Sequence, residues 1–451
     1  MDISYDLLVV GTGGGGSVVA RRCNDAGWSV AQIDNRPFGG TCAQRGCDPK
    51  KVLVGAAHAV DQATHLHGHG LTAPPAIDWS DLMAFKRSFT EPVSEARERA
   101  LEDAGIDAYH GTARFINEHT LQVGNDTLEG EHIVLATGMQ PVPLPFEGAD
   151  LLTTSDEFLE LDALPDEILF VGGGYISMEF AHIARRAGAR VRIIQRDSRI
   201  LPPFDADCTD RLTEASRDLG MDIHLNTDAV RIDKTDNGQL AVTTRGPDGS
   251  EQTYTADLAI HGAGRVPNIE ALDLEKGNVD AGRGGITVNE YLQSPTNPRV
   301  YAAGDVADTP GLPLTPLSGQ ESHIVADNLL GDTPHAATYG LQPSAAFTLP
   351  PLATVGLTVD EADAQEREVR IIENDLSGWY SYRRIQADTA YAKVLVDAET
   401  DAIVGAHLIG EQAPELINLF TLAIRHNMTP ADIKDTTFAY PTHGSDLQYM
   451  V

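Results

Sequence analysis

Lysine is nearly missing from this chain. Among 451 residues it occurs only at Lys50, Lys51, Lys86, Lys234, Lys276, Lys393 and Lys434, so arginine carries most of the positive charge. Lysine and arginine together number 33 against 66 aspartates and glutamates, a formal net charge of -33. Such a surface repels polyphosphates and anionic bilayers, which excludes nucleic acid and membranes as expected partners. The acidity runs along the whole chain rather than collecting in a tail. With so little lysine, it reads as halophilic adaptation, because concentrated salt screens self-repulsion. Long apolar runs are also lacking, and none could span a bilayer. Residues 1–10 have no basic leader before the first glycines, so a signal peptide is not expected and a cytoplasmic protein is. Cysteine is scarce: Cys23, Cys42, Cys47 and Cys208 are the four. They are too few to staple a chain whose length predicts about three domains. No further Cys or His clusters beside the close pair at zinc-ligand spacing, so no metal site is expected.

Glycine is plentiful, and its placement is informative. An apolar strand, Tyr5 to Val10, runs into Gly11-Thr12-Gly13-Gly14-Gly15-Gly16, then a helical stretch, Ser17 to Ala26, then a strand, Ser29 to Ile33, that ends in Asp34. The glycines allow a tight turn and close approach of a pyrophosphate to a helix N-terminus, and an acid about 20 residues on can accept from a ribose hydroxyl. The pattern recurs. Ile168 to Val171 leads into Gly172-Gly173-Gly174-Tyr175-Ile176-Ser177, a helix Met178 to Ala187 and a strand Arg190 to Ile194. Ser177 replaces the third glycine with another small residue. Two such folds imply two dinucleotides. The second strand ends in Gln195 and Arg196, with Arg199 behind, which suits the 2′-phosphate of NADP better than the 2′-hydroxyl of NAD.

Downstream, Ala263 to Asn268 closes the second fold, and Val300 to Val306 reads as a buried strand carrying an acid. After an expected linker, Gly331 to Pro343, strand-like runs Lys393 to Val396 and Ala402 to Leu408 precede helical stretches Pro414 to His426 and Pro430 to Lys434. The expected class is α/β: two Rossmann-like domains and a C-terminal α+β domain. The expected boundaries are 1–149 with 266–335, 150–265, and 340–451.

The most informative stretch is Gly39-Gly40-Thr41-Cys42-Ala43-Gln44-Arg45-Gly46-Cys47-Asp48-Pro49-Lys50-Lys51. Two thiols with four residues between them lead into a helix near Pro49, within reach of a disulfide. A helix N-terminus and nearby lysines favour a thiolate. This CxxxxC with flanking glycines resembles the class I pyridine nucleotide–disulfide oxidoreductases, which include glutathione reductase, dihydrolipoamide dehydrogenase and mercuric reductase. Ala136-Thr137-Gly138, Gly264-Arg265-Val266-Pro267-Asn268, Gly304-Asp305-Val306, Phe347-Thr348 and Val355-Gly356-Leu357-Thr358 follow in that family's order.

The resemblance implies a redox-active disulfide, Cys42–Cys47, with Cys47 facing FAD and Cys42 attacking substrate. It implies FAD on Gly11, Gly13, Gly14, Gly16, Asp34, Thr41, Ala113, Thr137, Gly138 and Asp305. Lys50 or Lys51 would approach the flavin and pair with Glu179, and Tyr175 would gate a nicotinamide pocket. NADPH would lie on Gly172, Gly174, Gln195, Arg196 and Arg265. The resemblance further implies a homodimer with a shared active site. Cys23 and Cys208 are expected to be packing or surface residues.

The chain departs from the family near its end. Where the family has His-Pro-Thr-x-x-Glu, this chain has Tyr440-Pro441-Thr442-His443-Gly444-Ser445, followed by Asp446. Tyr440 acts in place of the missing histidine, as in mercuric reductase, or His443 with Asp446 forms a displaced dyad, or neither touches substrate. The resemblance thus implies an NADPH-driven reductase of a small disulfide, of the glutathione or, in a halophile, bis-γ-glutamylcystine type. The alternatives are a mercuric-type metal or quinone reductase, a dihydrolipoamide dehydrogenase, and a dithiol redox sensor.

Overall fold

The computed structural model describes residues 2–451; Met1, where the first expected domain starts, lies outside the described residues. The chain divides into two compact units. The first holds 1–49, 85–142 and 265–340, and the second holds 50–84, 143–264 and 341–451.

The first unit is built on a 7-stranded sheet. Its centre is strand β1 (Asp2–Val10), paired in parallel with β2 (Val30–Asp34) and with the strand Asp126–Leu135. Successive side chains of a strand face opposite ways. Leu7 and Val9 therefore pack against Val19, Ala20 and Cys23, while Leu8 and Val10 join Ala113, Phe115 and Ile133 in a separate cluster. A strand buried on both faces needs an unbroken apolar run, which is what Leu7-Leu8-Val9-Val10 supplies. Helix α1 (Gly14–Asp25) begins earlier than the Ser17 start read from sequence, because the last glycines of the turn already form its first helical residues. The expected strand Val300 to Val306 stops at Ala302. Gly304 has φ +74, and that left-handed residue turns the chain out of the sheet.

The second unit repeats the plan. Four parallel strands stand in the order Asp222–His224, Arg190–Ile194, Glu167–Val171, Leu258–His261. Ile168 and Phe170 feed one core, Leu169 and Val171 another. The helix Tyr175–Arg186 follows the central strand. From residue 344 onward the sheet is antiparallel and 5-stranded, with Tyr391–Asp397 and Ile403–Ile409 buried throughout at its centre. Helix Ala413–Arg425 lays Leu416, Ile417, Phe420 and Ala423 into the same apolar cluster. Among the described residues no helix is long and apolar enough to cross a membrane.

Candidate active site

Each nucleotide fold opens on the same backbone device. Gly11 (φ +116) and Gly172 (φ +101) turn the chain where a Cβ would fall 2.2 Å from the Ala136 carbonyl oxygen and 2.3 Å from that of Gly262. These two glycines are required by the protein itself. Gly13 and Gly174 are different: a Cβ there would meet nothing closer than 3.7 Å. Both are the N-caps of twelve-residue helices, and neither helix has a side-chain cap or an acid in its first turn. By contrast, the helices Ala206–Asp218 and Val359–Ala364 are capped by Asp205 and Thr358. Open backbone donors, a favourable dipole and a wall with no side chain suit a pyrophosphate at both positions. The residues therefore fit two bound dinucleotides. Ser177, at the third-glycine position, is tolerated because its neighbour is Gly262, where a Cβ would lie 1.8 Å from the serine hydroxyl.

The strand ends hold these turns. Asp34 Oδ2 accepts from the backbone N–H of Thr12 at 3.0 Å and from its hydroxyl at 2.6 Å, and Oδ1 accepts from the N–H of Arg36. Gln195 has the equivalent post: its Oε1 accepts from the N–H of Gly173 at 2.8 Å. Arg196 is exposed, and Arg199 is half-buried with its carbonyl accepting from Gln195. Neither Thr12 nor Gly173 is singled out by its type; only the fold shows that their N–H groups face the strand ends.

In the first unit the two thiols stand together. Cys42 lies in helix α2 (Gly40–Arg45) and Cys47 opens helix α3 (Cys47–His65), earlier than the Pro49 start expected from sequence. The structure holds them as two thiols. Hydrogen bonding to Cys47 and then burial push the Cys42 thiol well up, against the lowering expected from a helix N-terminus; a hydrogen bond from Thr315 pulls it back down. Thr315 Oγ1 also stands 4.0 Å from Cys47 Sγ. Thr315 begins the helix Thr315–Leu330, a start its Thr-Pro pair advertises, but its partnership with residues so far away in sequence was invisible. Cys23 and Cys208 are buried, and burial pushes Cys23 up to about 12 and Cys208 well above its ordinary value, so both are inert packing groups.

The first unit also holds the remaining flavin candidates. Thr41 is exposed on α2, and Ala113 is buried at the start of its strand. The Thr137 hydroxyl donates to the Asn268 carbonyl at 2.7 Å, and Gly138 O accepts from the Asn268 N–H at 2.9 Å. Burial raises the Asp305 carboxyl, which accepts from Ser318 at 3.3 Å. Glu321, which sequence reading missed, fixes that turn: its Oε2 accepts from the Gly304 N–H at 2.6 Å, and Oε1 accepts from Tyr339 and Thr309. Arg265 belongs to the first unit, where its guanidinium donates to the Met139 carbonyl.

In the second unit Lys50 and Glu179 form a buried pair, Nζ to Oε1 2.7 Å. The same oxygen accepts from the Phe347 N–H at 2.9 Å, and the Phe347 ring lies under both ammonium groups, 3.7 Å from Lys51 and 4.5 Å from Lys50. Burial, then the charge of Lys50, lowers Lys51. Tyr175 packs against Phe204, and burial pushes its phenol up to about 12. Tyr440 is 80 % exposed. His443 is buried edge-on to Tyr382, and burial lowers its pKa. Among the described residues neither His443 Nδ1 nor Asp446 Oδ2 has a hydrogen-bond partner.

Residues 5–326 match the family described as pyridine nucleotide-disulphide oxidoreductase, and residues 342–451 match its dimerisation domain. The chain is 32 % identical over 450 residues to dihydrolipoyl dehydrogenase of Haloferax volcanii, covering 97 % of this chain and 93 % of that protein. It is 32 % identical over 464 residues to glutathione reductase of a Nostoc species, covering 100 % of both. Among solved structures, the Cu(II) complex of the HOCl-induced flavoprotein disulfide reductase RclA from Escherichia coli superposes with a TM-score of 0.88 at 28 % identity, over 100 % of this chain and 99 % of that one.

Proposed function

The chain belongs to the pyridine nucleotide-disulphide oxidoreductases, FAD-dependent enzymes that use a pyridine nucleotide, and from that premise we propose that it spends NADPH to reduce a small-molecule disulfide through Cys42 and Cys47. The observation that carries this reading is the thiol pair beside Thr315, in a chain with two open glycine-turn helices. Bound FAD, held by the Gly11–Gly16 turn and Asp34, would pass two electrons from the nicotinamide to the disulfide. The protein's own thiols do the rest. Cys42, once deprotonated, attacks one sulfur of the substrate disulfide; that bond breaks and one substrate thiolate leaves. Cys47 then attacks Cys42 in the mixed disulfide, the second thiolate leaves, and the Cys42–Cys47 bond re-forms, for two electrons and two protons in all. Thr315 is placed to donate to whichever sulfur is anionic.

The acidic, lysine-poor composition supports a halophilic cytoplasmic setting and, with it, a disulfide of the bis-γ-glutamylcystine type rather than glutathione. The dimerisation domain supports a homodimer whose site is shared, with exposed Tyr440 reaching the partner subunit's thiols. One observation favours a second reading, reduction of a metal ion. Tyr440 stands where the family's histidine acid–base would be, and RclA was solved with Cu(II).

The test is nucleotide oxidation by the FAD-loaded enzyme in high salt against bis-γ-glutamylcystine, glutathione disulfide, lipoamide, Cu(II), Hg(II) and a quinone, with Cys42→Ser alongside. Fast turnover of one disulfide that the variant lacks is the expected result. Turnover confined to metal ions or the quinone, or retained by Cys42→Ser, overturns the disulfide reading.

A further inference from the structure

The two strand-end side chains of the nucleotide folds differ in charge, and the second fold does not simply lose its acid. Asp34 presents a carboxylate directly at the end of its strand. Gln195 uses its amide oxygen for the same backbone bond, to the Gly173 N–H at 2.8 Å, and its Nε2 donates to Asp197 Oδ2 at 2.9 Å and to the Arg199 carbonyl at 3.1 Å. Because Gln195 is 5 % exposed and all its polar atoms are engaged, it organises the loop and has nothing left for a ligand. The carboxylate has moved two residues outward, held in place by that amide. It is still half-exposed, and its Oδ1 is 3.7 Å from Arg196 Nε. Arg196 is 76 % exposed, and Asp197 is the ion-pair partner of its side chain.

We propose that Asp197 is the residue that limits recognition of a 2′-phosphate in the second nucleotide fold. A ribose 2′-substituent bound at this strand end meets Arg196 and Asp197 together. The carboxylate repels a dianionic 2′-phosphate and competes with it for the guanidinium, while a 2′-hydroxyl can donate to it. Gln195 acts through Asp197 as a positioning residue. The proposal rests on the reading that the 167–194 fold binds the pyridine nucleotide, and it makes NADPH preference a balance between two adjacent side chains rather than a consequence of the arginines alone.

The experiment is calorimetric titration of the FAD-loaded wild type and Asp197→Asn with adenosine 2′,5′-bisphosphate and with 5′-AMP, which differ only in the 2′-phosphate. A surface charge interaction of this kind is worth up to about fivefold in affinity. Asp197→Asn is expected to tighten the bisphosphate by about that factor, to leave 5′-AMP unchanged or slightly weaker, and to lose its advantage in molar salt. Steady-state NADPH efficiency should rise with no matching rise for NADH. Equal effects on both ligands, or no effect on either, overturn the proposal. If the wild type binds the bisphosphate no better than 5′-AMP, the NADPH reading fails, yet a tighter bisphosphate complex in Asp197→Asn still supports the role of Asp197.

Discussion

The Cys42 thiol is pulled in two directions by its neighbours. Its proton is held by hydrogen bonding to Cys47 and by burial, so the reduced pair resists losing a first proton; the hydrogen bond from Thr315 acts the other way. Replacing Thr315 with isosteric valine removes a donor worth about 1 kcal/mol, or about fivefold in thiolate population at a fixed pH below the thiol's own pKa. Thr315→Val should therefore slow alkylation of the reduced enzyme by about that factor and move its pH dependence upward, while nucleotide KM stays put. An unchanged alkylation profile would remove Thr315 from the site. The cysteines were readable because their spacing is itself the chemistry. Thr315 was not, since a contact that closes a gap of 268 positions leaves no local signal.

At the scale of elements, the helix Tyr175–Arg186 works as a polar rail along one face. Glu179, His182 and Arg186 each hold a backbone group of the 347–349 segment: the Phe347 N–H, the Leu349 N–H at 3.4 Å and the Leu349 carbonyl at 2.8 Å. His182 Nε2 donates to Ser216 Oγ at 3.1 Å, because that hydroxyl gives its own proton to Leu212, so Nδ1 is the acceptor and the ring is neutral. Burial lowers His182 far below its ordinary value, and lowers His407 and His443 in the same unit as well. A folded-state pKa below the unfolded one gives stability that is present above about pH 6.5 and is lost as pH falls through that value towards the folded pKa, since only the unfolded chain takes up the proton. His58, raised by its bond to Glu411, opposes the trend and does not cancel three groups. The midpoint of thermal unfolding should drop between about pH 7 and about pH 5, and His182→Asn should flatten that drop. An identical slope in the variant would assign acid unfolding to other groups. The helix of this rail was visible behind its glycine turn, read as Met178 to Ala187 where it begins at Tyr175. The rail itself was not, because Glu179, His182 and Arg186 look like the polar face of a surface helix until the 347–349 segment is laid over them.

The whole molecule carries a formal net charge of -33. Lys50–Glu179, Arg186–Asp61 and Lys393–Asp205 are shielded from solvent, and most of the remaining acids face water on a surface with too few cations to neutralise them. Two consequences have opposite salt dependence. Exposed pairs such as Arg190–Glu167 weaken as salt rises, but each is worth only about 0.2–1 kcal/mol. Repulsion among the unneutralised carboxylates acts at longer range and fades as the Debye length shrinks from about 10 Å at 0.1 M to about 3 Å at 1 M. With twice as many acids as bases the second effect dominates, so stability should rise steeply from about 0.1 M to about 1 M KCl. Residues 342–451 match the family's dimerisation domain and expose Tyr380, Leu422, Tyr440 and Tyr449, so the same screening is expected to favour pairing of two copies through this segment. Sedimentation across that salt range should show dimer favoured at the upper end, with turnover following it if Tyr440 serves the partner's thiols. A protein equally stable and equally dimeric at both ends would mean that its negative charge is spaced widely enough to leave the fold indifferent to screening.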